Sequence, residues 1–254
     1  MFSGPVESVS STNIFARASQ DGRQFLVYSM KFEAARDLAM ILPLPVPEGS
    51  GEDAVKFIDL SANKRFFQEL DSGFTTNDYA KGLTRGRALK SVEDAPLRVV
   101  DVGAFSASFV PTLADFSRLD EQFKLSPEIW IKLPQYARYG FAVFKLKKTP
   151  PTSVDVHPMA FEFPRAFQNL LFFPTVHVHD GRVSLRADFD HMLYAQLGQA
   201  PVDWSRSFGL AKLFTNTPLS QGIIDPAAFV HRKKLYGVLN NQDVLIADAV
   251  PVAV

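Results

Sequence analysis

The chain contains no cysteine. That absence removes disulfides, thiol nucleophiles, iron–sulfur clusters and every zinc site built on thiolates. It has no charge excess either, because 27 basic side chains balance 27 acidic ones. Proteins that grip DNA or RNA carry a basic footprint to neutralise phosphates, so no nucleic-acid partner is expected. No run is long and apolar enough to span a bilayer. Residues 1–11 lack the basic and apolar regions of a secretory leader. The expected compartment is therefore the cytoplasm, with export left open to a chain whose leader had been trimmed. Catalytic signatures are missing too. There is no Gly-x-Ser-x-Gly elbow, no phosphate-cradling Gly-rich loop and no His-Glu-x-x-His.

What is present fits a folded, β-rich chain. Its 254 residues are enough to bury a core without metal or disulfide staples. Hydrophobic residues make up 46% and charged residues 21%, which excludes a disordered chain for most of its length. Phenylalanine is abundant, at 23 residues, and favours pleated, half-buried surfaces. An aromatic-rich core follows from this, with a Phe-lined pocket as the sharper alternative.

The order of elements reads as strands with a few short helices. Residues 14–18 and 24–32 flank Gln20-Asp21-Gly22-Arg23, and Asp-Gly supplies the positive φ angles of a tight hairpin. Both faces of the second strand are mostly apolar, which predicts a central position. The apolar run 38–42 reads as a buried strand, ended by Pro43, Pro45 and Pro47. Ser61 is placed to cap a helix through Leu70 that stops at Gly73. Strands are expected at 97–102 and 105–110, then helical segments opened by Thr112 and by Ser126-Pro127. Further strands follow at 141–147 and 156–164, and a last hairpin around Asn240-Asn241. Residues 27–45 and 143–164 share one pattern of strand, connection and proline-ended strand. This suggests two pseudo-symmetric lobes, 1–110 and 111–254, within a single globular unit. The fold class is thus α+β, β-rich and mainly antiparallel.

One segment carries candidate chemistry. Residues 172–179 and 182–188 flank Asp180-Gly181, and a two-residue turn sets their register. Side chains alternate across a strand, so His177 and His179 would share one face. That is a usable metal-ligand spacing, with His191 as a third ligand and zinc as the metal. Arg182 and Arg186 fall on the same face and oppose a cation. A solvated sheet surface that happens to carry two histidines is the plainer alternative. Asp155 and His157 form a second, weaker pair, while Asp243 and Asp248 read as turn and surface residues. Between Phe74 and Glu93 the chain is polar and carries Lys81, Arg85, Arg87 and Lys90, which would suit an anion-binding flap or a ligand lid.

The stretches Phe25–Met30, Ile41-Leu42-Pro43-Leu44-Pro45, Tyr139–Lys145 and His157-Pro158-Met159-Ala160-Phe161 have an order of their own. Across residues 14–180 this order resembles a bacterial domain family of unknown function with proline-punctuated strands. The resemblance implies fold context and brings no catalytic residues. Three functions follow as expectations. The leading one is a non-enzymatic binding or structural protein with a protein or small-ligand partner and no cofactor. The second is a metal-binding protein or metal-dependent hydrolase using His177 and His179. The third is a carrier of a small apolar ligand in a Phe-lined pocket between lobes.

Overall fold

The computed structural model describes residues 1–74, 97, 99–103, 105–146, 157–178, 181–199 and 201–248. The elements in chain order begin with β1 (Ser8–Ala18), β2 (Arg23–Glu33), β3 (Leu38–Leu44), β4 (Lys56–Asp59) and α1 (Phe66–Ser72). Then come β5 (Val99–Val102), β6 (Phe105–Val110), α2 (Pro127–Ile131), β7 (Gly140–Leu146), β8 (Met159–Pro164) and β9 (Leu170–Phe173). The last are β10 (Arg186–Gln196), β11 (Ser205–Leu210), β12 (Phe229–Asn240) and β13 (Val244–Ala247). The fold is β-rich α+β, as its composition predicts.

Three sheets form among the described residues. The largest has the order β11-β12-β10-β1-β2-β8-β4, the second β3-β7-β6-β5, and the third β13-β9. Pairing is antiparallel throughout except for β1 beside β10. The two strand–connection–strand units run in opposite senses. β2 lies in the large sheet and β3 in the four-stranded one, whereas β7 lies in the four-stranded sheet and β8 in the large one. Accordingly β2 pairs with β8 and β3 with β7.

Strand alternation then builds layers. Ile14, Leu26, Phe161, Phe163 and Leu193 project from the large sheet toward Met40, Phe105, Phe109 and Phe144 of the four-stranded one, and one core forms between them. Its rings touch directly, with Phe144 5.9 Å from Phe161 and 6.1 Å from Phe105. The phenylalanines named here fill the space between the sheets with one another. On the far side of the large sheet, Phe15, Val27 and Tyr194 are covered by Phe66, Phe67 and Leu70 of α1, with Ile223 and Ile224. On the far side of the four-stranded sheet, Ile41, Phe141 and Val143 lie under Phe116, Ile129 and Tyr136.

Local signals hold in several places. β1 and β2 form the expected hairpin, and Asp21 and Gly22 take positive φ at its turn. β2 is an interior strand, as its two apolar faces require. β3 is buried along its whole length and tolerates Pro43 because it lies at the end of its sheet's order. Elsewhere the structure departs from expectation. The first helix starts at Phe66, not at Ser61, because Ser61 N–H is taken by Asp59 Oδ1 at 2.8 Å and residues 60–66 form turns. Gly73 still ends it, for a packing reason. Its φ is −66°, but a Cβ there would lie 2.6 Å from the Phe214 ring. Thr112 and Asp115 open a short 3₁₀ turn, Ala114–Arg118, in place of an α-helix. The last hairpin does not form among the described residues. β12 pairs with β10 and β11, and β13 pairs with β9.

Candidate functional site

The hairpin expected across Asp180-Gly181 does not form among the described residues. β9 ends at Phe173, and residues 174–178 leave the ladder. The cause is a local lack of donors combined with a set of acceptors from far along the chain. Pro174 has no N–H to give. The next three N–H groups are taken by side chains. Thr175 and Val176 donate to Asp243 Oδ1 at 2.8 and 3.2 Å, and His177 donates to Asn241 Oδ1 at 2.7 Å. Asn241 Nδ2 donates back to His177 O at 3.0 Å and to Ser184 O at 2.9 Å. Phe2 N–H donates to Val178 O at 2.9 Å. Every one of these buried or half-buried backbone groups thereby finds a partner without a strand.

Asp243 is the anchor of this arrangement. Besides the two amides it accepts a hydrogen bond from the Tyr136 hydroxyl at 2.6 Å. Burial pushes its pKa up to about 6, against the pull of those hydrogen bonds. The Tyr136 hydroxyl is pushed well above its ordinary range, by burial first and by the neighbouring carboxylate second. Asp248 is also an internal group, 8% exposed and paired with Arg165 at 2.8 Å. The expectation that Asp243 and Asp248 are turn and surface residues is therefore corrected. Aspartates in a turn-rich tail carry no sequence sign that they reach across to residues 165 and 175.

Held by Asn241, the His177 side chain meets His191. The two Nε2 atoms lie 3.1 Å apart. The His177 ring stacks on Phe189 at 4.4 Å and 28°, and His191 packs against the same ring at 5.1 Å. His191 projects from β10 on the face that carries Phe189 and Leu193, and is 2% exposed. Two of the three histidines proposed from sequence are thus brought together, by a neighbouring strand and not by a shared ladder. His179 lies outside the described residues. No group of three or more His, Asp or Glu side chains with metal-holding geometry occurs among the described residues. The pair lines a cleft of about 690 Å³, whose wall also carries Arg182, Arg186, Asp188 and Asp190. Arg186 is turned to Val238 O at 2.8 Å.

The remaining sequence candidates fall elsewhere. Lys81, Arg85, Arg87 and Lys90 lie outside the described residues, as does Asp155. His157 is buried, 4.8 Å from the Phe105 ring. A basic cleft that sequence reading missed lies where the large sheet emerges from beneath α1. It holds about 600 Å³ and is edged by Lys31, Lys64 and Arg65. Lys64 and Arg65 are adjacent but Lys31 lies 33 positions earlier, so the sequence does not show the three as one cluster. No helix among the described residues is long and apolar enough to cross a membrane.

No family model matches the chain, and no curated protein matches it. Solved structures do. The chain is similar to baculovirus P35 at 16% identity and a TM-score of 0.50, over 96% of this chain and 97% of that one. It is similar to a mutated baculovirus P35 after caspase cleavage at 16% identity and a TM-score of 0.51, over 94% of this chain and all of the other. A chain of the caspase-8/P35 complex matches at 15% identity and 0.51, over 94% and 96%. At this identity the likeness is one of fold.

Proposed function

We propose that this protein is a non-enzymatic binding protein whose partner is a protease of the caspase class. The observation that carries the reading is the extent of the likeness. It runs over nearly the whole of both chains, and it includes P35 in complex with caspase-8 and P35 after caspase cleavage. The reading is one of analogy at the level of the fold. The polar groups agree with a binding role. Asp243, Tyr136, Asp248 and Arg165 are spent on one another and on backbone amides. Networks of this kind rigidify a scaffold, and these four residues serve structure.

The described surface offers an anchor for a protein partner. Phe208 and Leu213 are 60% and 63% exposed, and the Phe208 ring lies 5.6 Å from Phe214. Phe208 N–H is bonded to Gly73 O at 2.9 Å, which ties this apolar patch to the end of α1. Aromatic side chains, Phe among them, are enriched at protein interfaces relative to the rest of the surface.

Caspase-8 and a panel of related proteases would be titrated with the purified chain. The expected outcome is stoichiometric loss of peptidase activity, a 1:1 complex on size-exclusion chromatography and a cleaved chain by intact mass. Phe208→Ser should weaken the complex about tenfold without changing the thermal midpoint. Full protease activity and an intact chain at tens of micromolar inhibitor would overturn the reading.

A further inference from the structure

We infer that His177 and His191 form a two-imidazole site for a divalent transition metal of the zinc class, independent of any protease binding. The first support is geometry. Two nitrogen ligands on a tetrahedral zinc at about 2.0–2.1 Å sit roughly 3.3–3.4 Å apart. The two Nε2 atoms are 3.1 Å apart, so a small opening of the pair admits the ion. A linear two-coordinate ion would need about 4 Å between the nitrogens, and the pair is too close for that.

The second support is that both rings are held in place before any ion arrives. His177 has its backbone clamped on both sides by Asn241 and its ring stacked on Phe189. His191 is fixed by β10, where it pairs with Leu235 of β12, while the next residue, Met192, pairs with Asn13 of β1. Ligands that are rigid beforehand lose little entropy on binding.

The third support is the surroundings. A metal needs the Nε2 lone pair of both rings, so each must carry its proton on Nδ1. Asp190 Oδ1 lies 3.7 Å from His191 Nδ1, beyond hydrogen-bond distance, and places a negative charge on that side of the ring. The same Asp190 is held by Ser11 N–H at 2.5 Å. For the ring that carries its proton on Nε2, binding shifts that proton to Nδ1, and the neutral pair gives up no net proton. The cleft has room for water at the remaining coordination positions. Two arginines and two aspartates line it, so formal charge on its wall balances and does not oppose a cation.

Zinc chloride would be titrated calorimetrically into chelator-treated protein, with cobalt(II) as a spectroscopic probe. One ion per chain is expected, with micromolar affinity and visible cobalt bands of tetrahedral character. His177→Gln and His191→Gln, made separately, should each weaken zinc by tenfold or more. If His191→Gln does not fold, the half-buried His177→Gln and the cobalt spectrum of the native protein still decide the matter. No saturable binding up to 100 µM zinc, or affinity unchanged in the folded variants, would overturn the site. The isolated chain suffices for every arm, so failure here leaves the protease reading standing.

Discussion

Residues 175 and 177 are two positions apart and live in opposite environments. At Thr175 and Val176 the backbone is tied to Asp243, and Asp243 is tied to Tyr136. Every polar atom named there is occupied, and the cluster is closed. At His177 the backbone is equally tied, to Asn241, but the side chain faces a cleft and meets a second imidazole. The difference teaches that one irregular segment serves two ends. Long-range side-chain acceptors replace the missing ladder, and that same restraint leaves one ring positioned at a cleft wall.

The largest break in this comparison should come from Asp243→Ala. It strips an acceptor from two amides and a tyrosine hydroxyl, and should cost about 3 kcal/mol of stability by urea denaturation at pH 7. It should also mobilise His177, since the segment loses its anchor.

A smaller effect concerns pH. The folded pKa of Asp243 is about 6, above the unfolded value of about 3.9. Between these values the folded chain binds more protons than the unfolded one. The stability this group contributes is therefore full below about pH 4 and is lost as pH rises through 6. Asp243→Asn removes the titration. Relative to the native protein, the Asn variant should gain on the order of 2 kcal/mol between pH 4 and pH 7. Paired denaturation curves at the two pH values test this, and a constant gap would show that the carboxylate is not shifted.

The smallest effect sharpens the contrast at the open end. Asn241→Ala removes the clamp on both sides of His177 and should cost about 1 kcal/mol. Both histidines remain, yet zinc affinity should fall several-fold in calorimetry because the ring is no longer held. Unchanged affinity would mean that Phe189 stacking alone positions the pair.

Legibility from the sequence tracked the range of the interaction responsible. The β1–β2 turn was readable because Asp21 and Gly22 solve a local backbone problem. The buried β3 was readable because an unbroken apolar run has nowhere else to go. The 172–188 hairpin misled for the same reason in reverse. Asp180-Gly181 and the alternating valines form a strong local signal, but Asn241 and Asp243 compete for the same N–H groups from more than 60 residues away. The histidine pairing was half readable. His177 and His191 were recognised as ligand types, while their meeting depended on where β10 runs.

By itself the sequence determined the class of the fold, the position of its strongest strands and the exclusion of thiol chemistry. Those properties are sums over composition and short-range periodicity. Only the tertiary structure decided that β2 pairs with β8 and β3 with β7, that Asp243 and Asp248 are internal, and that two imidazoles converge on one cleft. Each of those is a choice among many long-range pairings of similar local merit. It is settled by which arrangement leaves no buried backbone group without a partner and no apolar face uncovered.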